Sequence, residues 1–384
     1  MMTLRNVKNR LLPAAFPRGG WVAALIVLSV LAGSCARGGA PTKPPKVIPA
    51  PRIETVKPAP VAGAVSETAP VSNSETAPVS KPAPTVPTFD TWLAEFHSEA
   101  QAAGISAATL NAAFAGLKPI DRVIELDRQQ PESVLTFEEY LARVVPERRI
   151  TMGREKLAQH RALLNKVSAE FNVPARFIVA LWGIETDYGR LGGNFSVIAS
   201  LATLAYEGRR ATLFRKELLE ALRILDSGDA ALSDLRGSWA GAMGQTQFMP
   251  STYRNYAVDF NGDGKRDPWN QLPDVFASAA NYLTKIGWVK GETWGREVRV
   301  PDNFAQHWVG LEQRQPLAEW QALGVRRKDG ADLGALDMSA SMVRPSGPTG
   351  RAFLVYDNFR VLMQWNRSTY FGVAVGQLAD ALAD

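Results

Sequence analysis

Apolar residues recur at helical spacing at Trp92, Leu93 and Phe96, behind Asp90 as a candidate N-cap, and this pattern stops by Gly104. Helical patterns continue through Ala112 and Tyr140 and along residues 154–171. Pro174 suits the first turn of a further helix that runs to about Glu185. From Glu292 to about Val343 the spacing shortens to strand-like runs, residues 297–300 among them, punctuated by Gly and Pro. Helix returns over residues 370–382. These elements predict an α+β chain, predominantly α, with one helical core and a smaller mixed or β-containing insertion.

The first quarter lacks such patterning. Arg5, Lys8, Arg10 and Arg18 precede an apolar run from Trp21 to Ala32, the signature of an export signal. At about 12 residues the run is short of the roughly 20 that a membrane-spanning helix needs. It ends at Leu31-Ala32-Gly33-Ser34-Cys35, which resembles a bacterial lipobox; on that reading Cys35 is lipidated and becomes the mature N-terminus. By the same resemblance, Ala36 in place of Asp favours the periplasmic face of the outer membrane over the inner membrane. The alternative is an ordinary signal peptide cut near the same small residues, leaving a soluble periplasmic protein. From Ala36 to about Pro87 the chain is rich in Pro, Ala, Val, Ser and Thr, and SETAPVS occurs twice, from Ser66 and from Ser74. Such a composition cannot bury a core and makes a tether. The expected organisation is a signal peptide over 1–34, lipidated Cys35 and tether over 35–88, and a catalytic domain over 89–384.

Composition changes this picture little. The 384 residues are 46% hydrophobic, enough for a sizeable core, and a net charge of +5 suits an anionic polymer or surface. Nucleic acid is disfavoured, because Lys and Arg are spread along the chain with only short groups such as Arg148-Arg149, Arg209-Arg210 and Arg326-Arg327. With Cys35 as the only cysteine, no internal disulfide forms.

The candidate chemistry lies in LWGIETDYGR, residues 181–190. Counting back from Glu185 by three, four, seven and eight reaches Trp182, Leu181, Ile178 and Phe177, so the carboxylate shares a face with an apolar stripe. Such a carboxyl loses solvation, its pKa rises, and it suits a general acid. The bland alternative is a Glu that reaches solvent at a helix end, where Gly183 and Gly189 mark irregular backbone. A two-carboxylate glycosidase needs a second acid across the scissile bond. Asp187 is nearest in sequence, but residues two apart on a helix diverge, and it is better suited to bracing the turn. The histidines, His97, His160 and His307, form no HExxH pattern, and there is no GxSxG elbow.

GIETDYG and the stretch GSWAGAMGQTQFMPSTYRNYAVDFNGDGKRDPWN (237–270) together closely resemble the lytic murein transglycosylase B family. DRQQPE (127–132), SLATLAY (200–206), ANYL (280–283) and WNRSTYF (365–371) extend the likeness over nearly everything from Phe89 onward. The resemblance implies a lysozyme-like core that cleaves the β-1,4 bond between N-acetylmuramic acid and N-acetylglucosamine in peptidoglycan without water, leaving 1,6-anhydromuramoyl ends. The family's single catalytic Glu matches Glu185; the substrate's own C6 hydroxyl is the nucleophile, so no second carboxylate is required. Ser238, Gln247 and Tyr282 match residues of the sugar cleft, and Asn366 and Tyr370 lie in the segment resembling its far wall. Ser238 and Tyr282 also suit a simpler role, satisfying backbone groups. Phe371 stands where some relatives carry tyrosine. Rival readings are a hydrolytic muramidase on the same scaffold and a non-catalytic peptidoglycan-binding protein. Glycan strands and a membrane anchor are the implied partners, with other cell-wall enzymes left open.

DFNGDGKRDPWN (259–270) carries the oxygen ligands of an EF-hand loop at Asp259, Asn261, Asp263 and Asp267, the Lys265 carbonyl, and Gly264 at the sixth position. Asn270 replaces the closing Glu, and Asp274 resembles the family residue that closes a lengthened loop. A structural Ca2+ is expected there, and no catalytic cofactor; the alternative is a metal-free turn.

Overall fold

The computed structural model describes residues 87–128, 135–334 and 337–383. The export signal, Cys35 and all of the tether before Pro87 lie outside them, as does part of DRQQPE.

The chain runs α1 (Phe89–Ala102), α2 (Ala107–Phe114), α3 (Asp121–Arg128), α4 (Phe137–Val144), α5 (Glu147–Gln159), α6 (Arg161–Phe171) and α7 (Ala175–Thr186). It continues through β1 (Phe195–Ser196), α8 (Val197–Glu207), α9 (Ala211–Asp226), β2 (Arg236–Gly237), α10 (Pro250–Tyr256) and α11 (Leu272–Lys285). Next come β3 (Gly295–Arg299), β4 (Gly310–Pro316), α12 (Leu317–Ala322), β5 (Arg326–Arg327), β6 (Ser339–Val343), β7 (Ala352–Val355), α13 (Asp357–Trp365) and α14 (Thr369–Ala381). The predominantly helical architecture with a smaller β-containing insertion is as the apolar periods predict.

Three expectations need correction in detail. Asp90 is not an N-cap: α1 already starts at Phe89, which is buried and stacked on Trp92 with ring centroids 5.6 Å apart, so the acid sits in the first turn. There its charge favours the helix N-terminus. The 154–171 pattern is two helices, broken at His160, where the backbone leaves helical values at φ −107°, ψ 17°. Pro174 caps α7 from just outside it.

Within the one helical region expected, the apolar side chains gather into two cores, which meet at the future site. One gathers α4, α7, α11, α13 and α14 around Phe177, Leu181, Phe276 and Phe371; the other gathers α1, α2, α8 and α9 around Phe96, Leu201, Phe214 and Leu218. Most of α7 is buried, the mark of a central helix, and each fully buried Phe, Ile or Leu on it contributes about 1.5–3 kcal/mol. The insertion is an antiparallel sheet in the order β4-β6-β7-β3-β5, packed over its own core of Trp320, Leu354 and Tyr356. The indole N–H of Trp320 donates to the Ala340 carbonyl across that core.

Candidate active site

Glu185 occupies the last turn of α7. It is partly buried among apolar neighbours, and this desolvation pushes its carboxyl up to about 8, against a hydrogen bond from Trp365 that works the other way. The negative end of the α7 dipole disfavours the charge further. The indole N–H of Trp365, at the end of α13, donates to Glu185 Oε1 at 2.8 Å. Trp365 packs against both helical cores, so the carboxylate lies on their seam.

The chain turns sharply after α7. Asp187, Tyr188 and Gly189 all take left-handed backbone values, with φ of 51°, 61° and 83°. Asp187 holds this turn as a C-cap: it is 2% exposed and ion-paired with Arg148, Arg149 and Arg190. Burial works to raise its carboxyl, and the hydrogen bonds from Arg190 and Arg148 outweigh that and hold it below the usual range. It is a brace, as its position two residues from Glu185 leads one to expect, and it is spent on arginines.

The segment 237–250 forms the facing loop. Ser238, at 3% exposure, donates its N–H to the Ala242 carbonyl and accepts the Ala242 N–H on Oγ. Its hydroxyl thus serves the backbone in this structure. Met243 and Phe248 exchange two backbone hydrogen bonds that close the loop. Gly244, with φ 66°, has no room for a Cβ, which would meet the Pro268 carbonyl oxygen at 2.7 Å. Gln247 takes φ 51° and donates Nε2 to the carbonyls of Gly192 and Gly244, tying this loop to the turn after α7.

An aromatic wall completes the seam. Tyr282 on α11 packs on Trp365, Phe248 and Tyr256 with centroids 5.1, 5.7 and 4.7 Å away, and its hydroxyl donates to the Gln364 carbonyl. Asn366, 4% exposed, caps α13 directly after Trp365. Tyr370 on α14 packs against Phe137 and Tyr140, while Phe371 turns fully into the core. Glu185, Tyr282, Asn366 and Tyr370 thus belong to one neighbourhood, bordered by the loop of Ser238 and Gln247.

Three residues escaped the sequence reading. Trp365 lies inside WNRSTYF, where the reading singled out Asn366, Tyr370 and Phe371 but not the tryptophan. Tyr140 lies close enough to Glu185 that the carboxylate's charge adds to burial in raising its phenol, and its hydroxyl has no partner among the described residues. Gln245 accepts the Trp182 indole N–H at 2.7 Å and donates to the Trp269 carbonyl at 2.7 Å, joining α7 to the end of the acidic loop. Its backbone carbonyl accepts from Thr186 Oγ1, one residue past Glu185.

In that acidic loop, Asp259 accepts the amides of Gly262, Asp263 and Gly264, and Gly264 takes φ 87°, the sharp turn that an EF-hand loop requires at its sixth position. Asp263 accepts the Lys265 amide and Asp267 those of Trp269 and Asn270. Asp274, wholly buried, pins the two ends by accepting from Phe260 and Asp267. Among the described residues no three His, Cys, Asp or Glu side chains gather as a metal-binding group, and the Asp259, Asp263 and Asp267 carboxylates accept the loop's own amides. The loop's course and its all-oxygen donors fit a hard cation.

A family model described as "Transglycosylase SLT domain" matches residues 88–380. The chain is 35% identical over 240 residues to membrane-bound lytic murein transglycosylase B of Escherichia coli strain K12, a match covering 59% of this chain and 61% of that relative, under two thirds of its length. Among solved structures, SltB3 of Pseudomonas aeruginosa in complex with NAG-anhNAM-pentapeptide is 47% identical with a TM-score of 0.75, covering 77% of this chain and 79% of the other. Escherichia coli Slt35 in complex with calcium is 30% identical with a TM-score of 0.65, covering 76% and 92%.

Proposed function

The chain belongs to the transglycosylase SLT domain family, and on that premise we propose that it cleaves the β-1,4 bond between N-acetylmuramic acid and N-acetylglucosamine in peptidoglycan, forming 1,6-anhydromuramoyl ends. The observation that carries this reading is a single carboxyl, Glu185, kept protonated near neutral pH while its sequence neighbour Asp187 is engaged by arginines. Glu185 gives its proton to the glycosidic oxygen as the C1–O bond breaks. The muramoyl C6 oxygen then bonds to C1, and its proton passes to the Glu185 carboxylate. One group performs both transfers, and the leaving sugar departs as an alcohol. SltB3 in complex with an anhydromuramoyl peptide supports the same product here.

Tyr282 offers an apolar face for a pyranose ring, and Gln247, Asn366, Tyr370 and Ser238 offer donors and acceptors for hydroxyl and acetamido groups. The loop of Asp259, Asn261, Asp263, Lys265, Asp267 and Asp274 would hold a structural Ca2+, a reading supported by its oxygen donors and by the calcium complex of Slt35. The bound ion would supply charge to tie the loop together, apart from the proton transfers of Glu185.

The positively charged leader, Cys35 and the tether support export and lipid anchoring at the outer membrane, with residues 89–384 as the catalytic domain. The membrane-bound relative in Escherichia coli agrees with an anchor. Among the described residues no helix is long and apolar enough to cross a membrane.

Mass spectrometry of the soluble products from purified peptidoglycan tests the reaction. Anhydromuramoyl ends, lighter by one water than hydrolytic ends and absent with Glu185→Gln, are expected. Reducing muramic ends would mean a muramidase, and no release by either protein would mean a binding protein.

A further inference from the structure

Trp365 stands 180 positions from Glu185 in the chain, yet its Nε1–H lies 2.8 Å from Glu185 Oε1. The indole is braced, its ring packing against Phe248 and Tyr282 with centroids 5.5 and 5.1 Å away. An indole N–H donates and cannot accept. A proton placed on Oε1 would face another hydrogen and forfeit this bond.

We propose that Trp365 is a positioning residue for proton transfer, reserving Oε1 of Glu185 as an acceptor so that the transferable proton resides on Oε2. The inference rests on the assignment of Glu185 as the acid and base of the reaction. In the resting state the Oε2 hydroxyl is the donor to the glycosidic oxygen. Once that proton has left, the indole bond becomes charge-assisted and stronger, which stabilises the carboxylate while Oε2 waits for the proton of the C6 hydroxyl. The same bond fixes the plane of the carboxyl in both halves of the cycle.

Among the described residues, Tyr282 on α11 packs on Trp365, and burial pushes its phenol up to about 12. Tyr140 on α4 is held protonated well above the ordinary phenol range by burial and by the Glu185 charge. Tyr370 on α14 packs beside Tyr140. Beyond the helix end stand Asp187, with its carboxyl held low, and its partners Arg148, Arg149 and Arg190. A transition of activity near pH 8 therefore reports Glu185.

The test compares the full chain with Trp365→Phe and with β-(3-benzothienyl)alanine at position 365, in which sulfur replaces the N–H and the two-ring shape is kept. The alkaline limb of kcat/KM on solubilised peptidoglycan should move up by about half to one pH unit in both, because a bond that favours the ionised form is gone. At the plateau kcat should fall about tenfold with KM near the parent value. A benzothienyl variant with the parent's limb and kcat would overturn the proposal and leave Trp365 as packing alone. Glu185→Gln is run beside them: if it stays active, the acid–base assignment itself has failed, whereas an inactive Glu185→Gln with an unmoved limb sinks only the role of Trp365.

Discussion

The phenol ring of Tyr188 lies against Gly183, so closely that a Cβ on the glycine would meet Tyr188 Cε1 and Cζ at 2.7 Å. The tyrosine is anchored there by its hydroxyl, which donates to the Arg149 carbonyl at 2.6 Å, and on the other helix a Cβ at Gly153 would meet Tyr188 Oη at 2.5 Å. Two glycines on α5 and α7 thus let one aromatic ring clamp the turn that follows Glu185. Gly183→Ala and Gly153→Ala should each lose about 1–3 kcal/mol in thermal unfolding, the usual cost of overpacking. Gly183→Ala, two residues from Glu185, should lose more kcat/KM than Gly153→Ala at a temperature where both are folded.

Glu185 should also destabilise the fold it serves. Its native pKa, about 8, lies above the ordinary 4.5, so the native state binds more protons than the unfolded state between those values. Stability from this group is complete below about pH 4.5 and is lost as pH rises toward 8. At pH 8 the loss should be about 3 kcal/mol, less than the full shift implies because Glu185 is partly exposed. Glu185→Gln should be inactive yet gain stability relative to the parent as pH is raised from 5 to 8. A constant difference in melting temperature across that range would contradict the shifted carboxyl.

Asp187 has the opposite sign. Its lowered native pKa means that its stabilisation is present above the ordinary 3.8 and disappears as pH falls through the native value. Asp187→Asn should cost about 2–4 kcal/mol, because Arg149 is itself largely buried and loses its counter-charge. Circular dichroism melts at pH 7 check this, and the deficit should shrink as pH falls below the ordinary 3.8 toward the lower native value.

That the Glu185 carboxyl loses solvation was legible in residues 177–185 because helical spacing fixes which side chains share a face. Asp187 as a brace followed from the same geometry. Trp365 was not, since an indole in a sequence does not reveal where its N–H points, and its partner is 180 positions away. The β-containing insertion was legible, but Val343 was too early an end for it: Ala352–Val355 is buried at every position and shows no alternation to mark a strand. The break at His160 carries no Gly or Pro and left no local sign. For the acidic loop, sequence showed the donors but not that the loop's own amides engage them.

Calcium gives that loop a direct measurement. At a concentration about 100-fold over its Kd, the ion should add about 2.7 kcal/mol and raise the melting temperature by several degrees, reversibly with chelator. Asp263→Ala should abolish the response. An unchanged melting temperature in millimolar calcium would sink the reading.

The sheet of the insertion has two free margins, β4 and β5. A bare strand margin invites foreign strands to add and is a seed for aggregation. Here β5 is only Arg326–Arg327, and β4 breaks its register between Gly310 and Gln315, exposes polar side chains in alternation and ends in Pro316. Short length, charge, a bulge and a missing amide donor each discourage further pairing. The insertion can therefore stand beside the helical cores without recruiting a neighbour's backbone, even where many copies are crowded together.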